Sequence, residues 1–296
     1  MAERKKYAVM TMDVESFSDC DCFKRTKVDL DFDMFDGMEN FIEILDRNGV
    51  QSTLFVVSNT LHALHGKLSE YAKNGHHIAL HGFDHTPPCS KTDDEFRRMT
   101  LWAKEHIEDA CGVSISGYRA PYFGLDRSKL EILRELGFMY DSSQLDFPLA
   151  EKNFSLDLAD FKRLNRLTYE KAGFYEFKIG CHEFFGHKYP ISGGAYLRLC
   201  VWDMMKHFLR QHLAENDLYI FYAHPFEMSK KKLPAFRHMS LTDRMYLNVG
   251  RMNYCKRLDE IIQMLRSQGY EFVTMEALVS KYKSQNNASD IKICTE

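Results

Sequence analysis

Four short stretches of this sequence gather residue types that could do acid, base or metal chemistry. The first is Thr11-Met12-Asp13-Val14-Glu15-Ser16. Asp13 and Glu15 are two residues apart, so both point to one side if the segment is a strand. Two carboxylates so placed repel unless a metal, a proton or an arginine neutralises them; a capped strand end with solvated acids is the alternative. The second stretch runs from His77 through His81 to His85. Neutral imidazoles are the commonest nitrogen ligands of zinc, and a hydrogen-bonded pair of turn histidines is the competing reading. His77 opens an apolar run, whereas His81 and His85 lie at and beyond its exit. The third is Gly117-Tyr118-Arg119-Ala120-Pro121-Tyr122, in which Arg119 could fix a carboxylate through its fork or serve a structural salt bridge. The fourth is an apolar run, Tyr219 to Ala223, that delivers His224 to its end, followed by Pro225, Phe226 and Glu227.

These residues need elements to hold them, and the hydrophobic periodicity supplies a series. Strands are predicted at Tyr7–Asp13, Ser52–Val57, His77–Gly82, Gly117–Arg119, Phe138–Tyr140, Phe174–Ile179, Leu218–Ala223 and Tyr270–Thr274. Helices are predicted at Met34–Arg47, Leu61–Lys73, from Thr92 to about Ala110, between the fourth and fifth strands, at Tyr196–Leu213 and Met252–Arg266, and after the last strand. Gly49, Gly75 and Gly137 close three of these helices, and Thr92-Asp93-Asp94-Glu95 is a capping box that opens another. About seven βα units with no linker rich in Pro, Gly or Ser fit one nearly closed parallel barrel, spanning 1–282, with a polar tail at 283–296. Residues 145–172 lack a period and read as an insertion over the barrel mouth. In such a barrel all four stretches end strands and converge on one face.

Composition narrows the partners. The 296 residues are 45% hydrophobic with a net charge of −3 and interspersed signs, which predicts a folded α/β protein with no basic face for nucleic acid. No apolar run approaches the ~20 residues of a transmembrane helix, and the apolar stretch after Arg4-Lys5-Lys6 is too short for a signal peptide. Eight cysteines without regular spacing suit reduced thiols, so a cytoplasmic protein acting on a small molecule or glycan is expected. The oligomeric state is left open.

Taken together, the four stretches resemble the polysaccharide deacetylase superfamily, carbohydrate esterases of the family-four type that share a distorted (β/α)7 barrel. Asp13-Val14-Glu15 looks like its first motif, His81-Gly82-Phe83-Asp84-His85 its second and Arg119-Ala120-Pro121-Tyr122 its third. Tyr140-Asp141-Ser142-Ser143, Pro190 to Arg198, His224-Pro225-Phe226-Glu227 and Phe236-Arg237-His238 are similar to a bacterial branch found near exopolysaccharide loci. The resemblance implies Asp13 as general base oriented by Arg119, and Glu15, His81 and His85 as ligands of one divalent metal, zinc first, with cobalt, nickel or iron as alternatives. It implies His224 as general acid and Tyr122, through its backbone N–H, as oxyanion donor; Arg198 is assigned to the substrate site. The reaction implied is hydrolysis of an N-acyl amide, acetyl first, on an amino sugar or oligosaccharide.

Two departures from the family pattern matter. The acidic ligand is commonly Asp and here is Glu15. The usual Asp-Trp element that tunes the acid histidine is missing, which leaves Asp141, Asp146 or Arg198 as substitutes. A deformylase of a lipid-linked formamido sugar and a catalytically inactive glycan-binding barrel are the competing functions.

Overall fold

The computed structural model describes residues 5–20, 23, 32–147, 156–233 and 239–293, so Phe236-Arg237-His238 lies outside the described residues. Strand β1 (Lys6–Val14) is the centre of the architecture. It pairs in parallel with β11 (Leu218–Ala223) on one side, and on the other with β2 (Ser52–Val56) along its upper half and β12 (Tyr270–Phe272) along its lower half. The sheet then runs through β3 (His77–Leu80), β4 (Gly117–Tyr118), β5 (Tyr140–Asp141) and β8 (Phe174–Phe177), all parallel. The path from β11 through β1 to β8 thus contains seven parallel strands, the distorted (β/α)7 barrel that the sequence implied.

The alternation of β1 shows how the two faces are used. Tyr7 and Val9 point into an interior cluster with Phe55, Tyr140, Phe177 and Ile220, whereas Ala8, Met10, Met12 and Val14 pack in a second cluster against the helices. A strand buried on both faces is a continuous apolar run, which is how β1, β2 and β11 read in the sequence. The same alternation carries Thr11 and Asp13 to the inner face at the top of the barrel.

The helices lie where the periodicity put them: Asp36–Arg47, Leu61–Lys73, Asp93–Cys111, Arg127–Glu135 and Arg251–Ser267. Thr92 caps its helix through the reciprocal box with Glu95. The predicted helix at Tyr196–Leu213 is instead two, Gly194–Leu199 and Trp202–Glu215, broken at Cys200 and Val201. The last helix, Met275–Ile293, runs through the segment expected as a tail.

The larger correction concerns 145–172. It holds strands where no period was seen: β6 (Lys162–Arg163) and β7 (Thr168–Lys171) extend the sheet antiparallel beyond β8, while Phe147 packs against Tyr196 at the cleft. A hairpin of β9 (Cys181–Phe184) and β10 (His187–Pro190) follows. The barrel is drawn shut between β8 and β11 by residues 191–193: the Tyr222 N–H donates to the Ser192 carbonyl at 3.0 Å, and Ser192 Oγ donates to the Gly180 carbonyl at 2.9 Å. A Cβ at Gly193 would stand 1.8 Å from the Tyr222 carbonyl oxygen, so only glycine allows this approach.

Candidate active site

The carboxyl ends of β1, β3, β4 and β11 converge on a cleft of about 430 Å³, within the range of small-molecule sites. Asp13, Glu15, His81, His85, Tyr122 and His224 all line it. The four stretches therefore meet, as strand position alone suggested.

Arg119 stands fully buried inside the barrel mouth, its guanidinium 4.1 Å from the centre of the Phe55 ring. A buried cation is tolerated only when its donors are matched. Here Nη1 donates to Asp13 Oδ1 and to Thr11 Oγ1, each at 2.8 Å, Nε to the Ser142 carbonyl at 3.1 Å, and Nη2 to Ser142 Oγ at 3.1 Å. Asp13 is thereby fixed through one oxygen. Behind this group, the buried Asp141 carboxylate accepts from the Ser143 N–H and hydroxyl, and the Ala120 N–H donates to Ser143 Oγ, which steadies the loop after Arg119. Burial pushes the Asp141 and Glu176 carboxyls up, Glu176 the further because the Asp141 charge adds to it.

Glu15, His81 and His85 form a buried group whose ligand atoms all lie within 4.8 Å of one another, the cluster among the described residues that could hold a metal ion. Burial drives the His81 imidazole down to about 4, against the pull of Asp13, so it is neutral at physiological pH. His81 Nδ1 sits 2.8 Å from the Arg119 carbonyl, which fixes the tautomer with Nε2 available as a ligand. Burial works to raise Glu15, but the charges of His85 and His224 and the His85 hydrogen bond outweigh it and hold the carboxyl at about 2. His85 Nε2 is 2.6 Å from Glu15 Oε2. Two imidazoles and one ionised carboxylate are a donor set used for catalytic zinc and for open ferrous sites, so these residues fit a divalent ion, and the longer Glu15 reaches the histidines. The turn between the histidines depends on Gly82, whose φ of +90° most side chains would strain.

Tyr122 and Phe123 have φ of 57° and 56°, a left-handed conformation that is costly for aromatic residues. Strain of this kind persists where the surroundings over-determine it, and it sits at the cleft wall. Tyr122 Oη donates to the Asp19 carbonyl at 3.0 Å, and its ring lies 4.5 Å from that of His85.

On the opposite wall, His224 precedes the turn Pro225–Met228. Its Nδ1 is 2.9 Å from Glu227 Oε2, which also accepts the His224 backbone N–H at 3.1 Å. Desolvation works to lower His224, but the negative charges of Glu15, Glu227 and Asp13 raise it to about 9, so it is an imidazolium at neutral pH. Arg198 is the exception among the expected site residues. It lies behind Glu227 rather than in the cleft: it is 1% exposed, with Nε 3.3 Å from Glu227 Oε1 and Nη1 donating to the Tyr246 and Val249 carbonyls. It therefore meets no substrate directly.

The residue holding His224 is thus Glu227, which sequence reasoning quoted without a role. Asp141 is committed to Ser143, and Asp146 to Arg166 at 2.8 Å. The signal was present as a capping box, with Pro225 at the first helical position and Glu227 three residues after His224. Tyr222 and Tyr246 also line the cleft and were not anticipated.

This parallel barrel, with carboxylates, imidazoles and a buried arginine gathered at its strand exits, is similar to known polysaccharide deacetylases in sequence and in fold. The polysaccharide deacetylase family model matches residues 21–140, and a domain of unknown function (DUF3473) matches 147–280. The chain is 26% identical over 134 residues to a peptidoglycan deacetylase-like protein of Gibberella zeae, covering 43% of this chain and 39% of that protein. It is 24% identical over 107 residues to the peptidoglycan deacetylase of Helicobacter pylori, covering 36% of each. The chain therefore spans well under half the length of these curated relatives. A crystal structure from Mycobacterium smegmatis, described as a polysaccharide deacetylase by assignment, superposes with a TM-score of 0.64 at 19% identity, covering 97% of this chain and 93% of that one.

Proposed function

We propose that this chain is a metal-dependent amide hydrolase that removes an N-acyl group, acetyl first, from an amino sugar in a glycan or glycan precursor, with zinc as its ion. The observation that carries the reading is the meeting, in one cleft, of a carboxylate gripped by a buried arginine, a cluster of two imidazoles and a carboxylate, and an imidazolium gripped by its own carboxylate. The likeness to peptidoglycan deacetylases supports the substrate class.

Glu15, His81 and His85 would hold the ion, which when bound supplies Lewis acidity and lowers the pKa of water. Asp13 is the general base that takes the proton of the attacking water. Its Oδ1 is held by Arg119, so the carboxylate cannot swing away and Oδ2 is presented for the transfer. The Tyr122 backbone N–H would donate to the oxyanion formed at the amide carbonyl. His224, charged at neutral pH, gives a proton to the departing amine, and Glu227 keeps the ring oriented throughout.

The test is acetate and formate release from a panel of N-acylated amino sugars and oligosaccharides, before and after chelation and after return of zinc or cobalt. Metal-dependent acetate release supports the reading in full. Formate release alone would replace the acetyl assignment, and failure to bind metal would remove the hydrolytic mechanism proposed.

A further inference from the structure

Twelve large apolar side chains are exposed among the described residues, and nine of them fall in two short stretches, Tyr196–Met204 and Leu241–Met252. These stretches are neighbours in space. Arg198 donates to the Val249 carbonyl at 2.7 Å, Arg257 donates to the Arg198 carbonyl at 3.0 Å, and a Cβ on Gly250 would collide with the Arg198 carbonyl. Leu241 and Met245 stand one turn apart on the helix Leu241–Asn248, whose Leu247 is buried; Val249 follows at its end, and Met252 lies in the first turn of the next helix, Arg251–Ser267. Leu241, Met252 and Val201 are 74%, 76% and 70% exposed. Isolated exposed apolar residues need no explanation, but a contiguous set of this size does.

The charge around the patch says what it meets. Among the described residues of 228–257, Lys230, Lys231, Lys232, Arg244 and Lys256 are exposed and Arg257 is half-buried, against a single acid, Asp243, in a chain whose net charge is −3. The Lys230-Lys231-Lys232 run is exposed and is tied to the patch, since Arg251 donates to the Lys231 carbonyl at 2.9 Å. Docking a second copy on this face would bring like charges together. An apolar stripe flanked by lysines, with tyrosines at its edge, has the chemistry of a segment lying at a lipid interface. Methionines such as Met245 and Met252 suit an irregular fluid partner, because their side chains are flexible and polarisable. Tyr196 and Tyr246 belong both to the patch and to the cleft lining, so a surface docked here lies at the mouth of the cleft.

We infer that this patch seats the protein on an anionic lipid surface, with the cleft opening at headgroup level. The docking stands on the patch alone; its consequence, that the preferred substrate is an amino sugar attached to a lipid or held at a membrane, rests on the hydrolase reading.

The experiment is flotation of the full chain with vesicles of phosphatidylcholine, with and without phosphatidylglycerol, alongside hydrolysis of a soluble N-acetylated oligosaccharide. The wild-type chain is expected to float with the anionic vesicles and to be released by high salt. The double variant Leu241→Asp with Met252→Asp is expected to lose vesicle binding by about tenfold or more while folding normally and hydrolysing the soluble substrate unchanged. Absence of wild-type flotation overturns the inference, as does undiminished flotation of the variant. If the wild-type chain ignores vesicles but is a dimer that the double variant dissociates, the patch is a self-interface and the lipid assignment is wrong. Because flotation requires no turnover, failure of the hydrolase reading would leave this result intact.

Discussion

Replacing Glu227 by Gln tests the arrangement at the acid most sharply. The change keeps the shape and an oxygen for Arg198 but removes the charge that His224 Nδ1 meets at 2.9 Å. A hydrogen bond to a charged partner contributes about 1.5–3 kcal/mol and a neutral one about 0.5–1.5 kcal/mol, so the differential loss is about 1–1.5 kcal/mol. One pKa unit corresponds to about 1.4 kcal/mol, so His224 should fall by about one unit from its value of about 9. The sign follows from linkage. His224 is raised in the folded state, so its stabilising contribution is present below its ordinary value of 6.5 and is lost as pH rises through about 9. In turnover, the alkaline limb of the kcat/KM profile reports loss of the His224 proton and should move down by the same unit. Arg198 is fully buried against Glu227, and breaking such a pair costs up to about 3–5 kcal/mol, so the variant must be shown to be folded by urea denaturation at the pH of assay. An alkaline limb that stays in place in a folded Glu227→Gln variant would refute the assignment of Glu227 as the residue that holds the acid charged.

Asp13→Asn should lower turnover by about 10²–10⁴ while leaving metal content unchanged, measured by acetate release and by metal analysis of the same sample; unchanged turnover removes Asp13 as the base. His81→Ala should abolish stoichiometric metal binding, and zinc retained after dialysis would show that the cluster of Glu15, His81 and His85 is not the metal site. Glu176→Gln should raise the midpoint of thermal unfolding at pH 8 but not at pH 4. Glu176 is fully buried and its carboxyl is raised well above 4.5, so ionising it costs the folded chain more than the unfolded one; stability is full below 4.5 and falls as pH rises from there, and glutamine removes that loss. Phe177→Ala, which empties a fully buried position among the interior aromatics, should cost about 3–5 kcal/mol in urea unfolding.

The parallel core was legible because its strands are buried on both faces and its helices carry their own stop signals. Leu61–Lys73 and Leu218–Ala223 have the limits the periodicity assigns them. What failed to show was structure that depends on pairing rather than on period. Strands β6 and β7 are short and partly exposed, held by antiparallel partners that no local pattern announces. The break between the helices at Gly194–Leu199 and Trp202–Glu215 likewise follows from packing, since Arg198 must reach Glu227 while Trp202 reaches Glu260. The same limit explains Arg198 itself. A sequence places it near the site but cannot tell a side chain that faces substrate from one that braces the residue in front of it.

The two walls of the cleft are built on one physical plan with reversed charge. Arg119 is a buried cation that fixes the Asp13 carboxylate, and Glu227 is a buried anion that fixes the His224 imidazolium, each member of the outer pair facing the cleft and each inner member hidden behind it. Glu227 is one of three carboxylates whose negative charge holds His224 up against desolvation, with Glu15 and Asp13 the others, and it is the one bonded to the ring. In the proposed reaction Arg119 therefore fixes where Asp13 takes a proton, and Glu227 fixes where His224 gives one. Both lie behind the cleft, yet they orient the groups on which the proposed chemistry rests.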